Sequence, residues 1–276
     1  MNARFILANG KIIDSEKVPF LPELIRSNVL RIEEVFWFCR GLIPFFEDHI
    51  VLLKEQANRL NASYPEFMAD RNELKRIIHR LINKNKAFHS GLAHMVVAWN
   101  SIPPDVFITV EPWQSARFEL RQEGLLIDYA EEVKYSGNRF NAYRFFNIPL
   151  WNQVMLKSHN QRINGPIILN EREEVVEYPE ANIFFITDNS LVTPSADTGC
   201  YLDPAREKIL ESAVALGLKT IETSKLNKTH VAGMDEVFIA GESTGMQKIM
   251  GIGNKRFTHT QTALLNNQLN RLLFPD

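Results

Sequence analysis

Two polar clusters follow apolar runs in this sequence: Val176-Glu177-Tyr178-Pro179-Glu180-Ala181-Asn182 and Gly241-Glu242-Ser243-Thr244-Gly245. Carboxylates accept hydrogen bonds, while amides, hydroxyls and open glycine backbone donate them, so clusters of this kind can fix a polar ligand. The bland alternative for Glu177 is a solvated carboxylate after a strand. Other familiar chemistries are missing. The seven His residues form no HExxH and no Cys/His spacing that suits zinc, and His89 and His94 make at best a weak metal pair. No GxSxG, P-loop or GxGxxG occurs.

The elements that must position these clusters can be read from periodicity. Phe5 to Leu7 and Lys11 to Ile13 flank Asn9-Gly10, a hairpin signal. Glu34 to Cys39 and Leu42 to Phe46 flank Arg40-Gly41 and predict a second hairpin. Ile50, Leu53, Ala57 and Leu60 follow helical spacing, as do Leu74, Ile77, Ile78, Leu81 and Ile82. Strands are expected at His94 to Ala98 and Val106 to Val110. The polar stretch Glu111 to Gly124 suggests a boundary between domains at 1–115 and 116–276.

In the second half, strands are expected at Leu125 to Ile127, near Val133, and at Pro166 to Leu169. Asn182 to Thr187 and Leu191 to Thr193 read as strands joined by Asp188-Asn189-Ser190. A helix is expected over Trp151 to His159. The best-punctuated helix runs from Pro204 to Leu216, with Asp203 as N-cap and Gly217 as stop. The strand Glu236 to Ala240 leads into the second polar cluster. Strands thus alternate with helices, the mark of a mixed α/β protein.

Composition narrows the function classes. The 276 residues are 45% hydrophobic and 23% charged, which excludes a disordered or fibrous chain. The formal net charge of −2 gives no support to a nucleic-acid or membrane-surface role. No apolar run is long enough for a membrane span, and Met1 to Ile13 reads as a strand with no cleavable signal. Only Cys39 and Cys200 are present, which fits a reducing, cytoplasmic setting.

The succession Asn9-Gly10, Val35-Phe36, Glu47-Asp48-His49, Glu177, Asn182-Ile183-Phe184, Leu191-Val192-Thr193-Pro194, Gly199, Arg206 and Asp235-Glu236-Val237-Phe238 resembles the class IV aminotransferases. These are the fold type IV pyridoxal-phosphate (PLP) enzymes, including branched-chain and D-amino-acid aminotransferases and aminodeoxychorismate lyase. The resemblance spans nearly the whole chain. It implies two α/β domains with PLP between them, and a homodimer. It also implies a Schiff-base lysine, an acid at the pyridine nitrogen and donors for the phosphate. Glu177 falls on the acid. Asn182, Ser243 and Thr244 match, or neighbour, further cofactor contacts.

Elsewhere the chain departs from the family. The lysine is expected about thirty residues before the acid, in a pattern like Lys-x-x-Asn-x-Leu. Aligning on Asn147 puts Arg144 there, and counting back from Glu177 puts Phe145 there. A guanidinium stays protonated and lacks the free amine that attacks an aldehyde. The nearest lysines are Lys134, read as too early and in a strand, and Lys157, read as inside the following helix. Leu52 stands at the phosphate arginine. The phosphate-holding Gly-Ile-Thr turn becomes Asp203-Pro204-Ala205, and Gly-Thr becomes Gly241-Glu242. Pro204 has no N–H, and Asp203 fills the place of an anion at the helix start.

The expectation is therefore a degenerate, non-transaminating relative that does not bind PLP. It would take another small molecule, or a protein partner, in the old cleft, with no metal. Phe36, Trp37, Phe145 and Phe146 would fill that cleft or simply pack the core. One alternative is an active aminotransferase or lyase, which needs a rescue lysine and an alternative phosphate anchor such as Arg139, Arg144 or Arg206. The other is a dimeric interaction module.

Overall fold

The structure, a computed structural model, describes residues 4–17, 30–99, 101–113, 115–160 and 163–275. It divides into two compact units, Met1–Ala116 and Arg117–Asp276.

In the first unit, β1 (Phe5–Ala8) and β2 (Lys11–Asp14) form the expected hairpin. Its turn residues Asn9 and Gly10 both have positive φ, 46° and 81°, as a two-residue turn matched to strand twist requires. Next come β3 (Arg31–Cys39), β4 (Ser90–Ala98) and β5 (Asp105–Pro112). The five strands make one antiparallel sheet in the order β2-β1-β5-β4-β3. Helices α1 (Phe46–Arg59) and α2 (Arg71–Lys84) pack on β3 and β1. Each buries the periodic apolar face read from the sequence, Ile50, Leu53 and Ala57 in α1 and Leu74, Ile78 and Leu81 in α2. Asp70 caps α2 by accepting the Glu73 N–H at 3.0 Å.

The second expected hairpin forms only its turn. Cys39 and Leu42 make one antiparallel bridge around Arg40 and Gly41, and helix α1 then begins at Phe46, so Leu42 to Phe46 is not a strand. Ile43, Phe45 and Phe46 are buried there outside any strand, which is why that apolar run resembles one in sequence.

The second unit is built on β6 (Leu120–Lys134), a single long strand where the sequence suggested two short ones. Then follow α3 (Arg144–Asn160), β7 (Pro166–Asn170), β8 (Val175–Glu177), β9 (Asn182–Thr187), β10 (Ser190–Pro194) and α4 (Ala205–Ala215). The chain continues through β11 (Lys219–Thr223), α5 (Lys228–Ala232), β12 (Glu236–Gly241), β13 (Gly245–Ile252), β14 (Lys255–Arg256) and α6 (Thr260–Leu273). The sheet order is β11-β10-β9-β12-β13-β6-β7-β8, with β14 paired to β13. β6 runs parallel to both β13 and β7, and β7 is antiparallel to β8.

Ile127, Ile167, Val175, Ile183, Phe185, Val237, Ile239 and Ile249 form the main core of this unit. Each such side chain contributes about 1.5–3 kcal/mol on burial. A smaller cluster of Trp151, Val154, Ile168 and Tyr201 lies under α3. α4 packs on α6, and both contact β12. Among the described residues, no helix is long and apolar enough to cross a membrane.

Candidate functional site

Glu177 ends β8 and is fully buried. It pairs across the sheet with Ile168 of β7, and on the other side of β7 Lys134 of β6 pairs with Asn170. Residues two apart on a strand face the same way, so Lys134 and Glu177 reach toward each other over one face of β7. The Lys134 Nζ donates to both carboxylate oxygens of Glu177 at 2.9 Å. Lys134, too early in linear spacing for the expected lysine, is carried to the acid by β6.

Two more donors complete the shell of Glu177. The Trp151 indole N–H of α3 donates to Oε1 at 2.7 Å, and the Tyr201 backbone N–H donates to Oε2 at 2.5 Å. Trp151 and Tyr201 meet edge to face, with ring centroids 5.3 Å apart. Lys134 is 3% exposed, so both charges of the pair are withdrawn from water. Such a pair persists only when its remaining hydrogen bonds are made, as those of the Glu177 carboxylate are here.

Asp203 forms the second centre. Its buried carboxylate accepts the Ala205 N–H at 2.9 Å, at the start of α4, and the Glu242 N–H at 3.0 and 3.1 Å, just after β12. The Tyr201 hydroxyl donates to it at 3.2 Å. Helix α4 starts at Ala205, one residue later than expected, so Pro204 and not Asp203 holds the N-cap position; Asp203 still serves the first helical amide, from one residue further back. Gly241 makes room for the carboxylate: a Cβ there would sit 3.1 Å from Asp203 Oδ2 and 2.8 Å from the Glu180 carbonyl. Asn182 ties the centres together. Its Nδ2 donates to the Tyr201 carbonyl at 2.5 Å, and its Oδ1 accepts the Asp203 N–H at 3.1 Å.

Of the residues singled out from sequence, Glu177 and Asn182 therefore join one network. Ser243 and Thr244 lie on the adjoining turn, half-buried. The Thr244 hydroxyl closes that turn on the carbonyls of Gly241 and Gly245, at 3.3 and 3.2 Å. Arg144 opens α3 and pairs with Glu180 at 3.2 Å, with its Nε buried and unpartnered. Phe145 is half-buried against Phe146, which stacks on Phe140 with centroids 4.5 Å apart. Lys157 forms surface ion pairs with Glu131 and Glu132. Arg139 is exposed. Arg206 is buried and bonds Thr193, the Pro194 carbonyl and Glu222, which binds α4 to β10 and β11.

In the first unit, Phe36 and Trp37 are core residues; the Trp37 indole donates to Ser90 Oγ at 3.0 Å. His49 is buried beside Glu34, with Nδ1 and Oε2 3.1 Å apart, and Gln56 donates to the other Glu34 oxygen. Leu52 is half-buried on α1. His94 pairs with Glu111 at 3.0 Å. No group of three or more metal-ligating side chains is gathered among the described residues.

Trp151 and Tyr201 were not identified from the sequence as site residues. Trp151 carried a usable signal, since it stands with Val154 and Ser158 on the buried face of α3. Tyr201 carried none for its main role, because it serves Glu177 through its backbone. Next to it, burial pushes the Cys200 thiol up; Arg206 opposes that and Glu177 adds to it.

Sequence and structure comparisons agree with this architecture. The signature of the amino-transferase class IV family matches residues 33–252. The chain belongs to that family, and its mixed α/β fold is the one the resemblance implied. Branched-chain amino acid aminotransferase from Thermobaculum terrenum, in its PLP form, superposes with a TM-score of 0.86 at 18% identity, over 99% of this chain and 94% of that one. The Escherichia coli branched-chain enzyme gives 0.83 at 16% identity, over 98% and 94%. A putative 4-amino-4-deoxychorismate lyase from Legionella pneumophila gives 0.76 at 16% identity, over 87% and 90%. No curated protein matches the sequence.

Proposed function

We propose that this class IV family member does not transaminate and does not hold PLP. The observation that carries this reading is the Lys134–Glu177 contact. The pyridoxal aldehyde and ring nitrogen lie at opposite ends of one ring, so a Schiff-base lysine and the acid that serves the nitrogen must stand a ring apart. Here ammonium and carboxylate touch at 2.9 Å, and no ring fits between them.

The phosphate end disagrees as well. The amides of Ala205 and Glu242 already serve the Asp203 carboxylate. A carboxylate facing one phosphate charge at about 4 Å costs about 4 kcal/mol at an effective dielectric of 20, or about a thousandfold in affinity. With Leu52 in place of a guanidinium, a charge-assisted contact of about 1.5–3 kcal/mol is also forgone. The residues present do not fit the coenzyme. The reading retains a homodimer, a cytoplasmic setting and an unidentified small-molecule ligand.

Lys134 also favours a second reading, an active enzyme in which this lysine leaves Glu177 and takes the aldehyde. Borohydride reduction of protein incubated with PLP, followed by peptide mass spectrometry, separates the two. No stoichiometric pyridoxyl adduct at a single lysine is expected, as distinct from trace labelling spread over exposed amines. A stoichiometric adduct on Lys134 would establish the second reading, and one on any other single lysine would overturn the first.

A further inference from the structure

The β1–β2 hairpin and helix α2 enclose a cavity of about 570 Å³ in the first unit. Its walls are tied to each other. The Asn85 side chain, at the end of α2, accepts the Phe5 N–H at 3.0 Å and donates to the Phe5 carbonyl at 2.8 Å. Ile12 and Ile77 give the lining an apolar part, and most of the rest is basic. Arg80 and Lys84 stand one turn apart on the same face of α2, and Lys11 of β2 lines the cavity from the hairpin. Lys11 and Arg80 are exposed and make no ion pair with another described residue. The Lys84 ammonium lies 4.4 Å from the centroid of the Phe5 ring, a contact that steadies it and leaves its charge uncancelled. Among the lining residues the one acid, Glu73, is already neutralised by Arg76.

We propose that this cavity binds a small-molecule diphosphate. A single phosphate ester carries about −1.5 to −2 at pH 7, less than three cations would balance, whereas a terminal diphosphate brings about three negative charges. The Arg80 guanidinium presents a planar fork of donors to one phosphoryl group, and the ammonium groups of Lys11 and Lys84 act as point charges on the other. A basic helix face by itself is a solvated surface. Here the third charge comes from a different element, which places an anion between β2 and α2 rather than along either one. Asn83 adds an amide donor beside the cations. The local charge is opposite in sign to the net −2 of the chain, so it is concentrated at this cavity rather than shared by the surface. Every lining residue belongs to the first unit and the Lys134–Glu177 pair to the second, so the proposal does not depend on the functional reading above.

Inorganic pyrophosphate is the probe, titrated calorimetrically at low ionic strength into the full chain and into the variants Lys11→Gln, Arg80→Gln and Lys208→Gln. Lys11 and Arg80 are exposed, so their variants should melt as the wild type does. One pyrophosphate per chain is expected, with inorganic phosphate binding about tenfold more weakly. Lys11→Gln and Arg80→Gln should each weaken pyrophosphate by at least about fivefold, because each removes a charge-assisted contact. Lys208→Gln removes a surface charge of α4, in the second unit, and should leave the affinity unchanged. No binding by the wild type overturns the proposal, as do equal losses from all three variants, which would mark a general charge effect. Pyrophosphate should also shift the Gly10 and Ile77 amide resonances of the wild type; unmoved amides there overturn the proposal. Covalent PLP on Lys134 would defeat the functional reading alone, whereas a pyrophosphate-silent wild type would defeat this inference alone.

Discussion

The Lys134 ammonium lies 2.9 Å from each carboxylate oxygen of Glu177, although 43 residues separate the two in sequence. Removing one partner leaves the other charge buried and unpaired, which costs about 3–5 kcal/mol. Lys134→Met alone should lose about that much stability in urea denaturation. Adding Glu177→Gln should return a large part of the loss. Strict additivity of the two substitutions would mean that the contact is not formed in solution.

Arg206 offers a contrast between a buried and an exposed partner. Its guanidinium is 2% exposed and bonds three residues, whereas the Glu222 side chain it reaches is 47% exposed. A lysine cannot reproduce the planar fork, so Arg206→Lys should cost about 2–3 kcal/mol. Glu222→Gln should cost less than about 1 kcal/mol, because its contact faces water. Equal losses from the two, measured by denaturation, would contradict this division.

Gly199 holds φ at +84°, and a Cβ there would lie 2.6 Å from Asn141 Nδ2 and 2.8 Å from the Ser136 Cα. Gly199→Ala should therefore destabilise by about 1–3 kcal/mol. The strain falls two residues before Tyr201, whose N–H serves Glu177. Tryptophan fluorescence should shift as well, because Trp151 packs on Tyr201. A thermal melt unchanged from wild type would show that the loop relaxes freely.

His259 sets a pH dependence. Burial holds its pKa below the ordinary 6.5, while its Nε2 faces the Ile249 carbonyl at 3.0 Å. The unfolded chain therefore takes up this proton before the folded one does. The stability associated with neutral His259 is fully present above about pH 6.5 and is lost as pH falls from there toward the lower folded value. Wild-type Tm should decline more steeply than that of His259→Gln between about pH 7 and 5.5. Parallel profiles would remove His259 as the cause.

The local part of the fold was legible. Periodicity located α1 and α2, Asn9-Gly10 located a hairpin, and the run from Asp203 to Gly217 located α4 within a residue. Buried apolar character without a partner strand misled at Leu42 to Phe46, since a short apolar run suits a strand and a packed loop equally. Helix α3 was shortened because it carries Pro149 within it and has little apolar asymmetry. Of the site, Glu177 and Asn182 stood out by residue type and order. Lys134 did not, because its role depends on β6 and β8 flanking β7, a relation set by sheet pairing and invisible in linear spacing. The occupancy of the second centre was half visible: Asp203 was evident at the helix start, while its hold on the Glu242 amide depended on tertiary approach.

The parallel seam between β6 and β13 has a consequence for synthesis. Met246 pairs with Leu120 and Ile252 with Ile127, so β6 has no neighbour on that edge until β13, much later in the chain, has emerged. During that interval the ribosome-bound chain presents an open hydrogen-bonding edge, a template for wrong partners. Stop codons placed shortly before Gly245 should accordingly yield aggregates rather than a smaller soluble product.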